Sequence, residues 1–138
     1  MDNLELLFSY QACDLFYNTE LKAAQTSWKG PNAEGEDLHI ILNTLIEVMK
    51  QKNTGIVIAD ARLMQVINRE DQEWISDDWY PRALAAGFSF EALVVTDYTF
   101  NAVTIKKIVR TYDAMKLKTG YFKTLLSAYK WVQSGFPD

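Results

Sequence analysis

The chain has 138 residues, of which 49% are hydrophobic and 23% charged, the balance of one globular domain that buries about two-thirds of its unfolded surface. Eighteen acidic and fourteen basic side chains leave a net charge of −4, which argues against nucleic acid, whose binders carry a basic footprint. The one cysteine, Cys13, excludes an internal disulfide, and no apolar run reaches the roughly 20 residues that span a bilayer.

From the N-terminus the first thirty residues read as β structure. Leu4, Leu6, Phe8 and Tyr10 alternate with Glu5, Leu7, Ser9 and Gln11, the period-two pattern of a strand with unequal faces. A second strand is predicted around Leu15 to Tyr17 and a third from Leu21 to Trp28, separated by the polar turn Asn18-Thr19-Glu20. Strands this close must pair antiparallel, because a parallel crossover needs a dozen or more residues. Gly30-Pro31-Asn32 ends the meander.

Between Glu34 and Lys52 the period becomes helical. Leu38, Ile41, Leu42, Leu45, Val48 and Met49 form one apolar stripe, with Glu34, Glu36 and Asp37 at the start and Lys50 and Lys52 at the end, as the helix dipole favours. Asn53-Thr54-Gly55 stops this helix. Gly55 to Ala59 then runs into Asp60, and Phe90 to Thr96 runs into Asp97. Both segments are apolar enough for parallel strands buried on two faces, and the polar groups at their ends mark the rim where α/β domains place sites. Between them, Asn68 reads as the cap of a helix from Arg69 to about Ser76, with Trp74 and Ile75 inward, and Pro81 starts a short helix through Ala86. The remainder is a helix from Thr99 to about Met115, a short strand from Thr119 to Phe122, and a helix from Leu125 to Gln133. Leu125, Leu126, Tyr129 and Val132 are the core candidates of that last helix. The whole predicts a single α/β domain over 1–138. Its mixed sheet is an N-terminal antiparallel meander followed by βα units, with helices packed on it.

Three short signatures carry a family resemblance: Trp28-Lys29-Gly30 closing the meander, Ile58-Ala59-Asp60-Ala61-Arg62 closing the next strand, and Trp74 in the following helix, ahead of Gly87. With the order of elements, they make the chain resemble the STAS-like superfamily, whose namesakes are anti-sigma-factor antagonists of the SpoIIAA-like type and sulfate-transporter tails. The resemblance implies a STAS-like sandwich and a small cytoplasmic, bacterial-type protein-interaction domain without catalysis. The antagonists carry a phosphorylatable Ser or Thr just after the strand matching Ile56 to Ala59. Asp60 through Asn68 contains neither, so that switch does not transfer to this chain.

Residue chemistry adds candidates. Asp60 and Arg62, at one strand end, can pair with each other or face a ligand; Asp71 and Asp97 complete the tentative binding set. Asp71 belongs to an acidic stretch with Glu70, Glu73, Asp77 and Asp78, which the first turn of a helix accommodates without any ligand. His39 is the only histidine, and Glu36-x-x-His39 is a single pair where carboxylate-bridged metal sites use two, so neither metal nor other cofactor is expected. Cys13 reads as a small apolar filler. Trp74, Trp79, Tyr80 and Phe88 form an aromatic cluster that fits core filling or an apolar groove.

The expectation is therefore a non-enzymatic domain that binds protein, itself as a homodimer or a regulatory partner, with no nucleic acid and no membrane span. The acidic start Met1-Asp2-Asn3-Leu4-Glu5 lacks the positive charge of a secretory signal, which favours the cytoplasm. One alternative is a receiver-like phosphoacceptor with Asp60 as the modified aspartate, Thr96 as the hydroxyl and Lys118 or Lys123 as the charge sensor. It lacks the acidic pair after the first strand that receivers have, and a meander occupies the place of their first βα unit. Another alternative is a small apolar or lipid-like ligand held between helices and sheet. Charge is split along the chain, −9 over residues 1–97 and +5 over 98–138, which can steer a charged partner.

Overall fold

A computed structural model describes residues 3–29, 33–64, 67–96 and 117–138. The helix expected from Thr99 to Met115 and the candidate Asp97 lie outside them. The described residues form an α/β fold around a six-stranded sheet in sequential order, β1 (Leu4–Ser9), β2 (Cys13–Asn18), β3 (Ala23–Trp28), β4 (Ile56–Asp60), β5 (Phe90–Val94) and β6 (Lys118–Phe122). The first three strands pair antiparallel and β3 through β6 pair parallel, as the alternation followed by buried runs predicts.

Because β3, β4 and β5 are added in one direction, connections of a single hand put the helices between them on one face. Helix α1 (Glu36–Lys52) and the segment α2 (Arg69–Trp74) to α3 (Tyr80–Ala85) share that face, in one core cluster with Leu15, Ala24, Val57, Ala59 and Leu93. Helix α4 (Leu125–Gln133) covers the opposite face, over Ala23, Ile58, Ala92 and Val94. Strands β4 and β5 are thus covered on both sides, which is why they read as near-continuous apolar runs. Gly55 is required where the two strands enter side by side: a Cβ there would fall 2.1 Å from the Gly87 carbonyl oxygen. Asn53 ends α1 at φ 51° and ψ 51°, a left-handed conformation that asparagine tolerates.

Three local expectations need correction. The helices around Trp74 and Pro81 are one continuous segment joined by a π-helical turn, Ile75–Trp79. Pro81 has no N–H for the carbonyl four residues back and its ring crowds that carbonyl, and the wider turn absorbs both defects. Strand β1 carries a bulge between Leu6 and Phe8, so its alternation breaks: Leu7 and Tyr10 pack on the core, while Leu6 and Phe8 are 55% and 41% exposed. In α4, Leu126 is exposed, and Ala128 and Val132 are the buried positions.

Candidate functional site

A partly open cavity of about 70 Å³ lies between the α1 face of the sheet and the helices. Its floor follows from strand register. Thr26, Ala59 and Leu93 stand in one row across β3, β4 and β5, with Val57 and Glu91 in the row before. Leu42 and Leu45 of α1 form one wall, and Ile75, Trp79 and Tyr80 form the other. Trp28, Ala61, Met64 and Ile67 line it at the carboxyl ends of β3 and β4, where α/β sheets commonly hold ligands. Met64 alone of the described lining residues is not buried, so access runs past a flexible, unbranched side chain.

The polar content of the cavity is small and specific. Thr26 is 1% exposed, and its Oγ1 has no hydrogen-bond partner. The Tyr80 hydroxyl donates to Glu91 Oε1 at 3.0 Å, pinning the helical wall to the floor. The Trp79 indole N–H donates to the Leu42 carbonyl at 2.7 Å, which satisfies that nitrogen and closes the two walls together. Among the described residues no lysine, arginine or histidine lines the space. Thr119 of β6, in register with Glu91 on the same face, carries a second buried hydroxyl without a partner.

The residues singled out by sequence take other positions. Asp60 and Arg62 are brought together: Arg62 Nε donates to Oδ1 at 2.9 Å and Nη2 to Oδ2 at 2.7 Å, a bidentate fork. The Arg62 backbone N–H also reaches Oδ1, at 3.3 Å. The hydrogen bond from its guanidinium to Asp60 raises the Arg62 pKa further above its ordinary value. Asp60 pairs in register with Val94 on the α4 side of the sheet, away from the cavity. Asp71 is separate from it. Its Oδ2 accepts the Gly35 N–H at 3.0 Å at the start of α1, and its Oδ1 lies 3.4 Å from His39 Nε2. His39 stacks on Trp74 with ring centroids 3.7 Å apart, so Trp74 seals the α1–α2 contact instead of filling the core. Asp71 therefore joins two helices. Among the described residues no cluster of three metal-ligating side chains occurs.

Cys13 is fully buried, and burial pushes its thiol up to about 12, which leaves it unreactive. The cavity's polar groups carried weak sequence signals. Glu91 is a charge inside an apolar strand run, and Thr26 lies in the short stretch between Ala24 and Trp28. Compared with protein-family models, with curated proteins and with solved structures, the chain matches none of them.

Proposed function

We propose that this chain is a non-enzymatic binding domain of the cytoplasm whose site is the cavity between the sheet and α1–α3, and that its ligand is a small apolar molecule. The observation that carries the reading is the cavity itself: about 70 Å³ of space walled by buried aliphatic and aromatic side chains, with access past Met64. Close-packed interiors leave few voids larger than a water, so a space of this size at the carboxyl ends of parallel strands is a feature to be filled. The antiparallel meander followed by parallel βα units supports a STAS-like relationship as part of the same reading. The fork from Arg62 occupies both oxygens of Asp60, which counts against a receiver-like phosphoacceptor.

Xenon tests this reading, because it enters apolar cavities and makes no hydrogen bonds. Amide shifts under xenon pressure should saturate and concentrate on Thr26, Val57, Ala59 and Leu93. Small shifts spread evenly over the surface would remove the cavity as a site.

A second reading, binding to protein or to another copy of the chain, rests on a different observation. An open groove of about 770 Å³ runs between Phe8 of β1, Ile40 and Thr44 of α1, and Arg82 and Ala85 of α3. Phe8 and Ile40 on its rim are 41% and 45% exposed. Light scattering at micromolar concentration should report a dimer that Phe8→Ser weakens. A monomer mass for both proteins leaves only a foreign partner.

A further inference from the structure

We infer that two copies of the chain associate through the outer face of α1, laid antiparallel, so that Asp37 of each copy meets the partner's Lys50. This rests on the second reading above, that the groove along α1 binds another copy, and adds how the copies fit. Asp37, Ile40, Asn43, Glu47 and Lys50 are all exposed, at the three- and four-residue steps of one helical stripe. Ile40 is 45% exposed, and the Glu47 and Lys50 side chains are 63% and 56% exposed. Helix α1 has 17 residues and is therefore about 25 Å long, enough for a contact of several turns.

The stripe is complementary to itself. Glu36 and Asp37 stand at its start and Lys50 at its end, a polarity that suits the dipole within one helix. Turned end for end, the same polarity sets acid against base twice and opposes the two dipoles. In an antiparallel pair centred on Asn43 and Thr44, position 37 lies across from position 50 and position 40 from position 47. A parallel pair would instead set Asp37 against its own copy. Shape follows the same exchange of ends. Ile40 projects near the start of α1. Arg82 Nη2 donates to Asn43 Oδ1 at 2.8 Å, and past it in the chain Ala85 and Ala86 line the groove with Ile46 and Lys50. These small side chains leave room where the partner's Ile40 arrives. The Lys50–Glu47 pair within one copy, at 3.6 Å and exposed, is weak enough to yield to a contact between copies. A foreign partner would draw on none of this symmetry, whereas a two-fold contact uses every patch twice.

The test mixes two charge reversals in the full chain. Asp37→Lys puts bases across from each other at both contacts of its own dimer, and Lys50→Asp puts acids there. Sedimentation should show the parent as a dimer and each variant alone dimerising about tenfold more weakly, because a two-fold contact counts each substitution twice. An equimolar mixture should recover the parent's affinity as a heterodimer, since both contacts then join opposite charges. Melting temperatures of the separate variants are the control for folding. Where a reversal melts well below the parent, Ile40→Glu takes its place; it faces the partner's Glu47 and should leave a monomer. A parent dimer that these variants leave unchanged puts the contact elsewhere and overturns the antiparallel arrangement, while the copy-binding reading stands. A mixture no tighter than either variant alone overturns the pairing of Asp37 with Lys50. A parent that stays monomeric at the highest concentration measured removes the copy-binding reading, and the arrangement falls with it.

Discussion

The Tyr80 hydroxyl donates to Glu91 Oε1 at 3.0 Å, a contact that ties the helical wall of the cavity to its sheet floor. Tyr80 is 4% and Glu91 7% exposed, so water cannot replace the bond when it is cut. Tyr80→Phe keeps the ring that packs beside Trp79 and Phe88 and removes only the donor. It should cost about 1–3 kcal/mol in a urea titration. A loss within experimental error would mean that the contact holds nothing in place.

Asp71 supplies from α2 what the start of α1 lacks. Gly35 opens α1 with no capping side chain, and the Asp71 carboxylate accepts its N–H at 3.0 Å beside the positive end of the helix dipole. Asp71→Ala should cost about 1–2 kcal/mol, the range of a lost cap. It should also raise hydrogen exchange in the first turn of α1 as well as in α2. Faster exchange in α2 alone would show that the inter-helix contact is dispensable.

Stability should fall in acid through Asp14. Its burial raises the carboxyl pKa, but hydrogen bonds from Lys29 at 2.8 Å and Ser9 at 2.6 Å, with the Lys29 charge, more than offset this and hold it below 3.8. A lowered folded-state value means the contribution is complete above the unfolded pKa of 3.8 and is lost as pH falls through the folded value. Both side chains are partly exposed, so the effect is about 0.5–1 kcal/mol. Parent and Asp14→Asn should differ by that amount at pH 6 and converge near pH 2 in denaturant melts. A gap that persists at pH 2 contradicts the assignment.

Phosphorylation should leave this chain unmodified. Arg62 occupies both oxygens of Asp60, and residues 60–68 offer no hydroxyl. After incubation with acetyl phosphate and Mg²⁺ the intact mass should be unchanged. A stoichiometric phosphoryl adduct on Asp60 would return the receiver-like reading to first place.

The parts of the fold legible in the sequence are those set by short-range pattern. The buried runs of β4 and β5, the apolar stripe of α1, and the Asn68 cap, whose side chain accepts the Asp71 N–H at 2.8 Å, all depend on neighbours a few positions away. The features without a local signal depend on distant partners. Nothing within ten residues of Asp71 indicates that it meets Gly35, thirty-six positions earlier. Thr26 lines the cavity only because β3 lies beside β4 in a particular register, under walls from α1 and from Ile75, Trp79 and Tyr80. The Leu6–Phe8 bulge and the π-helical turn are single-residue shifts in phase that a periodic pattern averages away. Asp60 ends β4, as the apolar run predicts, but the parity of β4 sends it to the α4 side, and a one-residue step decides between the two faces.

The central claim, that the cavity is where a ligand sits, is tested most directly by filling it. Ala59 lines the floor at 6% exposure in the same row as Thr26, so Ala59→Leu places an isobutyl side chain where the ligand would lie. The measurement is isobutanol titration of parent and Ala59→Leu, with each protein's melting temperature as the control for folding. The predicted result is saturable binding to the parent and none to a variant that melts within a few degrees of it, because the new side chain occupies space that was empty. Overpacking a full core would instead cost about 1–3 kcal/mol. A variant that loses that much stability, or that binds isobutanol as the parent does, would contradict the account.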